Sequence, residues 1–171
     1  MFINKKLIAA FFSLALILPV AHALEGDTKE PITVESNSGF LDDKEGISVY
    51  TGDVIVIQGS FRMEADQVNI YMDSQREIEK MIAIGNLVKI KQTPELDKED
   101  LHGVGEKVDY FPATQLVILR GKAVVWQGGN KTASEYIEYD RISEVIKAGD
   151  TTLSDKRVHV TLQPSNEDDK K

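Results

Sequence analysis

His22, His102 and His159 are the three imidazoles of the chain, and none stands at a spacing that makes a metal site or a catalytic pair. His102 lies in Leu101-His102-Gly103, and His159 alternates with Val158 and Val160. Neither has the His-x-x-x-His or Glu-x-x-His partner that puts two ligands on one helix face. Cysteine is absent, which removes thiol nucleophiles, disulfides and Cys-ligated zinc together. There is no Gly-x-Ser-x-Gly elbow and no glycine loop of the phosphate-cradling kind. The paired acids Asp42-Asp43 and Glu99-Asp100 fall among turn residues, where carboxylates are solvated charge. Asp66, Glu106 and Glu135 each follow a small residue in related contexts, and recurrence at equivalent corners points to turn stabilisation rather than proton transfer. Catalytic residues, metal and cofactor are therefore expected to be absent, and the chemistry left is binding or scaffolding.

What recurs is a unit of strands. Gly52-Asp53-Val54-Ile55-Val56-Ile57-Gln58 is a β-branched run, followed after Gly59-Ser60 by the alternating Phe61 to Ile70. A Gly-Ser turn between two such runs reads as a hairpin. The pattern returns as Gly85 to Gln92 with Gly105 to Tyr110, and as Gly121 to Gln127 with Ser134 to Tyr139. Gly149-Asp150 opens a fourth start, so the initial glycines lie 33, 36 and 28 residues apart. Self-similarity at this period signals a repetitive architecture in which stacked units share one core. Ser36 to Asp42 is a degraded copy of the second half, preceded by the short strand Ile32 to Glu35. Arg157 to Leu162 is a clear last strand. The segments 73–80 and 93–100 are charged loops. At roughly nine residues per strand and turn, the chain supplies about sixteen short strands and no convincing helix, an antiparallel all-β fold.

The first 23 residues carry a different message. Lys5-Lys6, an apolar run from Leu7 to Leu18, Pro19 and Ala21-His22-Ala23 have the order of a cleavable secretory signal. Cleavage before Leu24 removes two lysines and no acids, taking the formal charge from −8 to −10. No cysteine follows the site to accept a lipid anchor. Residues 24–163 form the expected domain, with a flexible lead-in at 24–31, and 164–171 a disordered charged tail. Such an acidic chain lacks the basic face of a nucleic-acid binder.

Aligning the units on Gln58, Gln92 and Gln127 makes Val54, Val56, Val88, Ile90, Ala123 and Val125 equivalent, on one face of their strands. The opposite face holds Ile55, Ile57, Lys89, Lys91, Val124 and Trp126, so the first set is the interior candidate, joined by Ile32 and Val34. Such an interior is either a packed core or an apolar ligand groove, and periodicity does not separate the two.

The block Tyr50 to Val68, with Gly26 to Ser36 before it and the later units behind it, resembles the OstA-like family of periplasmic lipopolysaccharide-transport proteins along nearly the whole exported chain. That resemblance implies an open β-jelly-roll folded like a V-shaped taco. It implies an interior for the acyl chains of lipopolysaccharide (its lipid A part), lined by the apolar set above. It further implies head-to-tail self-association through edge strands, with LptC at the first edge (Ile32, Val34) and the amino-terminal domain of LptD at the last (Val158, Val160, Leu162).

Overall fold

The computed structural model describes residues 27–93, 98–150 and 157–164; the signal-like segment 1–23 and the tail from 165 lie outside them. Ten strands run in chain order: β1 (Thr33–Glu35), β2 (Ser38–Asp42), β3 (Ile47–Gln58), β4 (Phe61–Met72), β5 (Ile78–Gln92), β6 (Leu101–Phe111), β7 (Leu116–Gln127), β8 (Asn130–Asp140), β9 (Val145–Ala148) and β10 (His159–Thr161). All pairings are antiparallel, in the order β1-β3-β4-β5-β6-β7-β8-β10, with β2 also on β3 and β9 also on β8. The sheet does not close, so each end keeps an edge.

Among the described residues the expected sixteen strands are ten, and the reason is local. Each repeat's lead-in and its glycine-initiated run are one strand, bent in the middle. In β3, Gly52 (φ 83°) and Asp53 (φ 47°) stand opposite the single Asp66 of β4, and in β7, Gly121 (φ 72°) and Lys122 (φ 49°) stand opposite Glu135 of β8. Two residues against one is a bulge, and positive φ at its first position is the conformation glycine adopts without a Cβ clash. Every pair from β3 to β8 shifts register at the same level. The bulges form a spine across the sheet and fold it into two arms. Six bent strands counted twice and four short ones make the sixteen extended segments that the spacing suggests.

The recurring acids sit on this spine. Asp66 Oδ2 accepts a hydrogen bond from the Asn86 amide at 3.0 Å, Glu106 pairs with Lys122 at 2.6 Å, and Asn37 fills the same place beside Asp53 at 3.1 Å. Each therefore braces the glycine start of the following unit.

Candidate functional site: the interior of the folded sheet

Register builds the interior row by row. In the arm beyond the spine, one row runs Val34, Val56, Met63, Ile90, Gly103, Val125, Thr132, Val160, from edge strand to edge strand. In the other arm, Tyr50, Val68, Ala83, Val108, Leu119, Ile137 and Ala148 are successive partners. Period-2 alternation points both rows to one side. The arms face each other: Gly103 has no side chain where Ile90 and, from the opposite arm, Leu119 close in.

Of the residues singled out from sequence, Val54, Val56, Val88, Ile90, Ala123 and Val125 belong to this buried core, and Ile32 and Val34 pack partly buried against it. The alternate set points outward, with Lys89 and Lys91 exposed. None of the six exceeds 2% exposure, so the arms are shut on one another. Among the edge residues, Val158, Val160 and Leu162 are exposed, the last at 75%. The last strand is shorter than expected: β10 keeps only His159–Thr161, because only these pair with Ala133, Thr132 and Lys131.

Sequence reasoning missed what closes the mouth, the side opposite the spine. Arg141 follows β8 and is completely buried. Its Nε donates to Gln92 Oε1 at 2.6 Å, and its Nη1 donates to the Tyr110 hydroxyl at 2.7 Å and to Gln115. Tyr110 in turn donates to Gln58 at 2.5 Å. Gln58 and Gln92 end strands of one arm, whereas Tyr110, Gln115 and Arg141 lie at the far end of the other, so this network ties tip to tip. The guanidinium also lies over Phe61 at 4.4 Å, and Phe61 meets Tyr110 at 5.0 Å between ring centres. Outside this knot, Lys98 and Glu144 link loops of the two arms at 2.9 Å.

The lead-in expected to be flexible contributes too. Residues Asp27–Lys29 form a single 3-10 turn whose Asp27 carboxylate accepts from Ser60 at 2.5 Å and from Gln92 at 3.0 Å. Its Oδ2 lies 3.6 Å from Arg141 Nη2, an ion pair beyond hydrogen-bond reach, and Nη2 has no hydrogen-bond partner among the described residues. Burial pulls the Arg141 guanidinium below its ordinary pKa, opposed by Tyr110 and Asp27; burial likewise pushes the Tyr110 hydroxyl up. No local signal marks Arg141 in sequence, because its partners come from four distant segments.

The family model for LptA/(LptD N-terminal domain) LPS transport proteins matches residues 33–145, from β1 into β9. The chain belongs to this family. It is similar to the lipopolysaccharide export system protein LptH of Pseudomonas aeruginosa, 33% identical over 168 residues, covering 95% of this chain and 96% of that one. LptA of Escherichia coli K12 is 30% identical, covering 98% of this chain and 89% of that protein. In three dimensions the crystal structure of LptH, described as the LptA-homologous periplasmic component of the lipopolysaccharide transport device, superposes with a TM-score of 0.75 at 33% identity. It covers 81% of this chain and 99% of its own. These relatives are transport proteins, and the open antiparallel sheet is the jelly roll that the family resemblance implies.

Proposed function

We propose that this protein is exported to the periplasm, loses residues 1–23, and carries lipopolysaccharide between the inner and outer membranes with its acyl chains held between the two arms. The observation that carries the reading is the row from Val34 to Val160, polar only at Thr132, which crosses every strand of its arm and runs to both open edges. Removing a methylene from water is worth about 0.8 kcal/mol, so a chain of about a dozen methylenes costs about 10 kcal/mol to leave exposed. A lipid with several such chains needs a continuous apolar sheath with a polar exterior, which is what the strand alternation makes. The interior is packed shut, so the arms part to admit cargo and re-form their contacts afterwards. Molecules join head to tail through the unpaired edges, β1 and β2 at the first end and β9 and β10 at the last. LptC meets the first edge and the LptD amino-terminal domain the last.

A photo-crosslinking residue at Val56, Ile90 or Val125 is expected to capture lipopolysaccharide in cells, and one at the outward Lys89 is expected not to. Equal labelling on both faces would assign the lipid to another surface.

A further inference from the structure

Among the described residues Arg141 is the only buried cation, and the fold holds it in an incomplete setting. Gln92, Tyr110 and Gln115 are neutral acceptors. The one carboxylate nearby comes not from the sheet but from the turn that precedes β1, and it leaves Nη2 without a hydrogen bond. Burying a charge whose one counter-ion lies beyond hydrogen-bond reach is costly, and it leaves Nη2 with donor capacity that an anion could fill. Its place is telling as well. It stands at the mouth, where acyl chains held between the arms would join their head group.

We propose that Arg141 is the recognition point for the phosphate of the acylated glycolipid, and that Asp27 is a resident stand-in for that phosphate in the closed protein. When the arms part, Gln92 leaves Arg141 with the opposite arm and the Asp27 turn, itself held by Ser60 and Gln92, leaves with it. The guanidinium then faces the mouth with its planar donor fork open, and an arginine fork takes phosphate oxygens in pairs. On closure Asp27 returns and competes for the same group. The device couples cargo chemistry to the state of the arms: an apolar chain fills the groove, and an anion at its mouth replaces the latch. This rests on the carrier reading above.

The test compares two lipids on one protein. A hexaacyl diglucosamine bisphosphate and its fully dephosphorylated counterpart are titrated calorimetrically into the purified chain from residue 24. The phosphorylated lipid is expected to bind about ten-fold tighter, the scale of a charge-assisted hydrogen-bonded contact. Arg141→Gln should bring the two lipids together, by weakening only the phosphorylated one. Asp27→Asn, which keeps one oxygen to accept from Ser60 and Gln92 as Oδ2 does, should widen the gap. If Arg141→Gln does not fold, as its melting curve will report, Asp27→Asn decides, and an unchanged ratio there overturns the proposal. A preference that survives in folded Arg141→Gln, or no preference in the wild type, overturns it also. Inorganic phosphate alone should leave the wild-type melting temperature unmoved, and a rise would make this a site for the free ion instead of the lipid. Binding of neither lipid would instead sink the carrier reading on which it stands.

Discussion

Tyr139 shows how much of this molecule is decided one side chain at a time. It sits in β8 on the inner side of its arm, 1% exposed, and burial first of all, then the negative charges of Glu144 and Asp140, push its hydroxyl up to about 12. The unfolded chain ionises the same group near 10. A folded value above the unfolded one means the stabilisation is fully present below pH 10 and is lost as pH rises from 10 towards 12. Over that window Tyr139 should remove up to about 2–3 kcal/mol, from two units at about 1.4 each. Urea midpoints at pH 8 and pH 11 will register about half of it, about 1.4 kcal/mol. Tyr139→Phe should narrow the difference, and an unchanged difference would place the alkaline sensitivity elsewhere. The same scale marks the limit of what residues disclose in isolation. The apolar lining could be read from alternation, because a strand's faces are fixed by parity. Arg141 could not, because its neighbours Tyr139-Asp140 and Ile142-Ser143 give no sign that its partners are Gln92, Tyr110, Gln115 and Asp27.

At the scale of the element, the glycine starts were legible as boundaries, but of the wrong kind. A Gly-polar pair between two β-branched runs has the composition of a turn, and a turn would reverse the chain. Here Gly52 and Gly121 adopt positive φ inside a strand, and Asn37, in the break between β1 and β2, or the acid Glu106 on the neighbouring β6 braces the bulge so that pairing resumes beyond it. What the sequence could not carry is the difference between reversing a strand and bending it, since that depends on the neighbour being bulged at the same level. The test is Gly52→Ala. Its Cβ would sit 2.7 Å from Asn37 Nδ2 and be held in the left-handed region, so about 1–2 kcal/mol of stability should be lost. Gly85 lies at the spine without positive φ, and a methyl added there comes no nearer than 3.2 Å to Asp66, so Gly85→Ala should cost less. Denaturant midpoints of the two variants will order them, and the reverse order would remove the bend from the glycine's account.

The whole molecule is an unclosed sheet with different chemistry at its two ends. At the first end β2 exposes Phe40 and Leu41; at the last, β9 exposes Val145 and Ile146, and β10 exposes Val160 with Val158 and Leu162 beside it. Edges of this kind carry unpaired backbone donors and acceptors, which natural proteins usually hide. Neither proline interferes, since Pro31 precedes β1 and Pro164 follows β10. Two unlike edges joined head to tail do not close on themselves, so they build a fibre or a bridge that other partners cap. The spacing drew attention to β1 and β10, but the bend gives each end a second strand, one per arm. Deleting residues 157–171 separates their contributions. A folded monomer is expected by light scattering across a concentration series, because the arm that carries the Val34 to Val160 row then ends on β8, where Lys131 and Asn130 are exposed. Continued growth of long oligomers would move the joint to β9, and Ile146→Lys in the full-length protein should then abolish it. If both changes leave assembly intact, the molecules do not join through the last edge.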